Sequence, residues 1–150
     1  MSTGGFVNLS KPVALVTGAS YGVGAATALA LARDPLHERA RVQWETLQGA
    51  GAKLCTSVPV VIETFTFLDR NANRDVALAW KAAVYAPGTV TILPCELRDL
   101  EQSWEYFRRA ELHKLSAVDA TSFAIMKRAR IRVAYTFDHH FAAVGFRLVT

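Results

Sequence analysis

A parallel β-sheet covered by helices on both faces is the fold this sequence predicts, on three observations. Short, mostly apolar runs recur along the chain, among them VALV, TVTIL and VAYTF. Segments with helical spacing of apolar residues alternate with them, and Gly, Pro and Asp mark the junctions. Strands that read as continuous apolar runs are buried on both faces, and strand–helix alternation places helices on each side of a parallel sheet. In such sheets ligands bind beyond the carboxyl ends of the strands. The 150 residues suit a single domain spanning 1–150, which would bury about two-thirds of its unfolded surface. With 51% apolar and 20% charged residues, no repeat and no low-complexity tract, the composition is that of an ordinary soluble globular protein.

Residues 1–11 are polar and glycine-containing and read as a loose leader. Pro12 to Val16 makes a short apolar strand, followed by a glycine turn and an Ala/Leu helix to about Ala32. Arg33-Asp34-Pro35 breaks that helix, and Pro35 can open the next, over 35–49, with Leu36, Ala40, Trp44 and Leu47 on one face. Lys53 to Thr56 is a strand, and Ser57 caps a helix with Pro59 near its start running through VVIETFTFLDR. A helix from Arg74 to Tyr85, a Pro-Gly turn and the strand TVTIL follow. Helices over 96–110 and 117–129, the strand VAYTF and a terminal FRLV complete the alternation. Trp44, Trp80 and Trp104 fall on amphipathic helices and suit core or interface positions better than base-stacking platforms.

The formal charge of +4 is compatible with a nucleic-acid partner or with a merely solubilising surface. Its late cluster, Lys127, Arg128, Arg130 and Arg132, with Arg147 further on, is a candidate phosphate-steering face or a solvated helix end. Cys55 and Cys95 lie in apolar stretches without metal-ligand spacing and read as buried, reduced thiols of a cytoplasmic protein. The uncharged stretch between Lys11 and Arg33 is too interrupted by Gly, Ser and Thr to predict a membrane span.

Within it stands TGASYGVG, and residues 11–32 resemble the opening of the short-chain dehydrogenase/reductase family. Glycines let backbone amides approach a pyrophosphate, and the following helix N-terminus stabilises its charge. On that pattern Gly18, Gly22 and Gly24 would bind NAD(P). The rest of the family's machinery is absent: no tyrosine is followed four residues later by lysine, and no Asn-Ala-Gly turn occurs. A nicotinamide-dependent reductase fragment is therefore the alternative, not the main expectation.

Three acids carry the main one. Glu63 interrupts VVIETFTFL, where a charge is costly unless it faces a cleft, a cation or a partner. Asp119, in LSAVDATSFAIM, stands three residues after Ser116 and also suits a capping arrangement at a helix start. Asp138 directly follows VAYTF, at the edge where parallel sheets place their sites, and also suits an N-cap for DHHFAAV.

From Arg33 onward the chain resembles the PIN-domain family, particularly the VapC-type toxin ribonucleases. The resemblance runs through DPLHERARVQWETL, TSVPVVIETFTFL, LSAVDATSFAIMKR and VAYTFDHHFAAVGFRLV in collinear order. It implies a three-layer α/β/α fold and a metal-dependent endoribonuclease whose acidic residues hold Mg²⁺ or Mn²⁺, hard ions that favour carboxylate oxygens. Glu63, Asp119 and Asp138 would be the catalytic metal ligands, with Thr121 or Ser122 as supporting hydroxyls and Lys127, Arg128 and Arg130 as RNA contacts. The resemblance also implies an RNA substrate, an antitoxin partner and a homodimer.

One position departs from the pattern. The family carries a further aspartate at the end of the first strand, and here Thr17 stands in its place. A neutral hydroxyl is a far poorer Mg²⁺ ligand, so a PIN fold with impaired catalysis, retained for binding, is a second alternative. His139 and His140 invite a zinc reading, but no other His or Cys stands at zinc-ligand spacing, and exposed or phosphate-facing side chains are expected instead.

Overall fold

A computed structural model describes residues 13–17 and 31–149. Numbered among the described elements, the chain runs β1 (Val13–Val16), α1 (His37–Gly49), β2 (Lys53–Ser57), α2 (Val58–Asn71), α3 (Arg74–Val84), β3 (Thr91–Leu93), α4 (Leu97–Phe107), α5 (Ala117–Arg128), β4 (Val133–Tyr135), α6 (His140–Ala143) and β5 (Arg147–Leu148). The strands form one five-stranded sheet in the order β3-β2-β1-β4-β5. Every described pairing is parallel, with Leu15 opposite both Cys55 on β2 and Ala134 on β4.

The expected alternation is therefore present, and the period of two along each strand sorts its side chains into two cores. Leu54 and Tyr135 face a cluster with Ala40 and Leu47 of α1, onto which Trp44 and Trp80 pack. Their neighbours Cys55 and Ala134 face a second cluster with Tyr106 of α4, Phe123 and Met126 of α5, and Phe141 of α6. Right-handed crossovers account for the division. The chain moves one way from β1 through β2 to β3, then returns past β1 to β4 and β5, and the reversal carries its later helices to the opposite face.

Differences from the sequence-based expectations have local causes. The second expected helix begins at His37 rather than Pro35, because Asp34 Oδ1 accepts the Leu36 amide at 2.8 Å and holds the intervening residues in a turn. Ser57 occupies the start of α2 in extended conformation, but its side chain makes no cap bond. It is fully buried as the last residue of β2, opposite Leu93. The strand VAYTF stops at Tyr135, since Thr136 Oγ1 accepts the Asp138 amide at 3.1 Å and turns the chain out of the sheet. Trp104 is 52% exposed, unlike Trp44 and Trp80. Both cysteines are free; Cys55 is buried as expected, Cys95 only partly so. Burial pushes both thiols above their ordinary range, aided at Cys95 by the charge of Asp99. Among the described residues no helix is long and apolar enough to cross a membrane.

Candidate metal centre at the sheet's switch point

Strand order reverses between β1 and β4, and the crevice beyond their carboxyl ends is where such sheets bind ligands. Thr17 closes β1 there. It is buried, and its amide and hydroxyl donate to the Tyr135 carbonyl at 3.2 and 3.4 Å. Three residues past Tyr135 lies Asp138, so the positions following both central strands share one edge.

Asp138 is held in a tight local frame. Its amide donates to Thr136, and its Oδ1 accepts the His140 amide at 2.9 Å, an Asx turn that starts α6. The expected N-cap is replaced by this turn: the cap position falls to His139, whose side chain makes no cap bond, and Asp138 stands two residues ahead of the helix. Asp119 arrives at the same edge by a different route. α5 feeds β4 directly, so its C-terminus lies at the strand's beginning and its N-terminus at the strand's end. Asp119 sits in the first turn of α5, 2% exposed. Its amide donates to Ser116 Oγ at 3.0 Å, and the Ser116 hydroxyl donates back to Oδ2 at 2.9 Å. The capping arrangement read from Ser-x-x-Asp is thus real, and it fixes the carboxylate as well as the helix.

Glu63 stands, half-buried, in the second turn of α2. That helix begins where β2 ends, which brings its N-terminal half to the same side of the sheet. The hydroxyls of Thr121 and Ser122 are buried and donate to the Val118 carbonyl at 2.8 and 2.9 Å. Their protons are spent within α5, leaving only lone pairs for another group.

His140 reverses an expectation and takes a structural part that the sequence did not disclose. It is buried, not solvent-facing: the side chain is 8% exposed, against 85% for His139. Its Nε2 lies 2.8 Å from the carbonyl of His113, in the loop leading to α5. That contact ties the Asp138 turn to the segment that presents Asp119. Its Nδ1 lies 2.7 Å from Asp138 Oδ1, outside hydrogen-bond geometry. The sequence signal was the position itself, two residues past an acid at a strand's carboxyl end. Among the described residues Asp138, His139 and His140 form a group whose donor atoms all lie within 4.8 Å of one another; Glu63 and Asp119 do not join it at that distance.

The basic run lies apart from Asp119 along the same helix. Lys127 lies eight residues beyond Asp119, about 12 Å along the axis, so Lys127, Arg128 and Arg130 stand at the end of α5 remote from Asp119. Arg128 is also committed. Its Nε and Nη2 donate to Asp99 Oδ1 and Oδ2, both at 2.8 Å, and Nη2 also donates to the Pro94 carbonyl at 2.9 Å. Lys127 lies over the Tyr106 ring, 5.2 Å from its centroid. The cations on the acidic edge are instead in the α4–α5 loop, where Arg108, Arg109, His113 and Lys114 line a shallow cavity of about 300 Å³. Gly18, Gly22 and Gly24 lie outside the described residues.

Comparison with known proteins agrees with this fold. Residues 25–147 match the PIN domain family model. The chain is 38% identical over 120 residues to the 23S rRNA-specific endonuclease VapC20 of Mycobacterium tuberculosis, in both strain CDC 1551 and strain H37Rv, covering 79% of this chain and 88% of the relative. The crystal structure of Mycobacterium tuberculosis VapC20, a Sarcin-Ricin loop cleaving toxin, superimposes with a TM-score of 0.72 at 32% identity, covering 89% of this chain and 95% of that one. The family match begins inside the stretch that resembles dehydrogenases, and none of the three comparisons favours a reductase.

Proposed function

The chain belongs to the PIN-domain family, and from that membership we propose that it is a metal-dependent endoribonuclease of the VapC toxin type. The observation that carries the reading is the shared edge. Asp138 and the segment presenting Asp119 are joined through His140 and the His113 carbonyl, directly beyond the central strands. Glu63, Asp119 and Asp138 are its metal ligands. Their chemistry fits the group, since carboxylates drawn to one edge repel one another without a cation and hard divalent ions favour oxygen donors. Mg²⁺ or Mn²⁺ bound there supplies Lewis-acid polarisation of a phosphodiester and a more acidic water.

The chain's own residues prepare that site. Ser116 fixes the Asp119 carboxylate through its hydroxyl, and the start of α5 adds the favourable end of a helix dipole. The His140 amide and the Thr136 hydroxyl hold the Asp138 turn. The α4–α5 loop, with Arg109 and Lys114, offers cations to the RNA backbone on the acidic side. Exposed apolar side chains on α4 (Leu97, Leu100, Trp104, Phe107) give a second copy a surface to bury. Those across α2 and α3 (Phe65, Leu78, Tyr85), beside a cavity of about 440 Å³, suit an antitoxin helix.

The test is cleavage of RNA, beginning with a sarcin–ricin loop oligonucleotide because the VapC20 relative cleaves that loop. The wild type is incubated with Mn²⁺ or Mg²⁺, with and without EDTA, beside Asp119→Asn and Asp138→Asn. Metal-dependent cleavage, reduced by at least about 100-fold in each variant, is expected. Cleavage that survives both substitutions refutes the site. Thr17 supports a second reading, a PIN fold with impaired catalysis that still binds RNA or a partner; a folded wild type with metal and RNA binding but no cleavage favours it.

A further inference from the structure

The His140 ring is oriented by its burial and by one carbonyl. Because a carbonyl oxygen only accepts, Nε2 at 2.8 Å from His113 O must be the protonated nitrogen. In the neutral ring Nδ1 is then a bare lone pair, and it lies 2.7 Å from Asp138 Oδ1, itself an acceptor. Two acceptors that close need a cation between or beside them. Nδ1 is buried without a hydrogen-bond partner, on a side chain 8% exposed. The His139 Nδ1 lies 3.8 Å from the same carboxylate oxygen on the solvent side, its ring 4.4 Å from that of His140. An imidazole that donates its far N–H to a backbone carbonyl and turns the near nitrogen toward a carboxylate has the outer support found behind metal-ligating histidines.

We propose that Asp138, His139 and His140 form a mixed oxygen–nitrogen cation site that takes a borderline transition ion such as Zn²⁺ in preference to Mg²⁺. Imidazole nitrogen suits Zn²⁺ and its neighbours, whereas Mg²⁺ demands oxygen ligands and retains its waters. His140 supplies the fixed nitrogen and Asp138 the charge. His139, being exposed, closes on the ion from outside and leaves its remaining positions to water. The inference rests on the reading of Asp138 as a metal-site carboxylate and adds a nitrogen half to that site.

Two isosteric substitutions separate ligation from bracing. In His140→Gln the amide nitrogen replaces Nε2 and keeps the tie to His113 while deleting Nδ1. In His140→Asn the side-chain oxygen replaces Nδ1 as a donor while the tie is lost. Zn²⁺ and Mg²⁺ affinities are measured by calorimetry on the full chain, with Co²⁺ absorption as a report of nitrogen ligation and thermal melting as a check of folding. His140→Gln is expected to weaken Zn²⁺ at least tenfold, to leave Mg²⁺ unchanged and to alter the Co²⁺ spectrum; His140→Asn retains more Zn²⁺ affinity than His140→Gln, and His139→Gln gives a smaller loss. Unchanged Zn²⁺ affinity in a folded His140→Gln overturns the proposal and leaves an imidazolium–carboxylate pair in its place. A greater loss in His140→Asn than in His140→Gln overturns it too, since the ring would then serve only as a brace. Zn²⁺ binding through His140 in a protein that cleaves no RNA sustains this inference and sinks the nuclease reading. RNA cleavage with indifferent His140 variants does the reverse.

Discussion

Thr17 concentrates the chemistry of the site in one neutral side chain. Its hydroxyl points at the Tyr135 carbonyl, 3.4 Å away, from a buried position at the end of β1. Thr17→Asp would set a carboxylate against that carbonyl, two acceptors face to face with little water to separate them. Without metal the variant is expected to melt at a lower temperature than wild type, by about 2 kcal/mol of stability. Mn²⁺ should restore more of that loss than it adds to wild type, since an ion that binds only the folded state stabilises it by mass action. Thermal melts with and without Mn²⁺ check both signs, and equal metal effects in the two proteins refute the placement. Tyr135 supplies a contrast within the core. Its buried hydroxyl, pushed above its ordinary pKa by burial, donates to the Ala40 carbonyl at 2.7 Å. Tyr135→Phe removes that bond with little change in shape, and urea denaturation should show a loss of about 1 kcal/mol.

Two helices begin with comparable side-chain caps, one at the site and one away from it. Ser116 accepts the Asp119 amide at the start of α5, and Asn73 accepts the Val76 amide at the start of α3. Alanine at either position should cost about 1 kcal/mol of stability, measured by urea denaturation. Ser116 has a second task, donating to Asp119 Oδ2. Ser116→Ala should therefore weaken Mg²⁺ or Mn²⁺ binding as well, by about 10- to 100-fold on the scale of lost outer-shell partners, and Asn73→Ala should leave it unchanged. Equal metal affinity in the two variants would remove Ser116 from the site.

Across the molecule, an ion pair ties the C-terminal end of α5 to the start of α4. Arg128, at the end of α5, grips Asp99 near the start of α4 with two hydrogen bonds, and it also holds the Pro94 carbonyl after β3. Burial drives the Asp99 carboxyl upward, but the Arg128 hydrogen bonds, the Glu96 amide and the charges of Arg128 and Arg98 outweigh it, and the native value lies below the ordinary one. A carboxyl lowered on folding contributes its full stability above the unfolded value of about 4 and loses it as pH falls through the native value. Asp99→Asn should thus cost about 3 kcal/mol near neutral pH, as for one partner removed from a buried pair. Melting temperatures from pH 6 downward should also converge, wild type falling more steeply below about pH 4 than the variant. Parallel acid limbs would show that the pair is not what acid breaks.

Much of this was legible along the chain. Apolar runs and helical spacing located the described strands and helices to within a few residues, because burial on both faces or on one stripe imposes its period on the sequence. Ser-x-x-Asp announced the cap of α5, and Asp138 announced a residue at a strand's end, since both signals are local. What only the tertiary structure decided are relations between distant segments. A run such as Lys127 to Arg132 looks like an RNA-facing surface until α5 is seen to carry it away from Asp119 and to spend Arg128 on Asp99. Two adjacent histidines look alike until α6 buries His140 against Asp138 and the His113 carbonyl and leaves His139 in solvent. The sequence by itself determined which segments form strands and helices, through short-range periodicity; the order β3-β2-β1-β4-β5 determined which charges meet, because only packing brings together groups far apart along the chain.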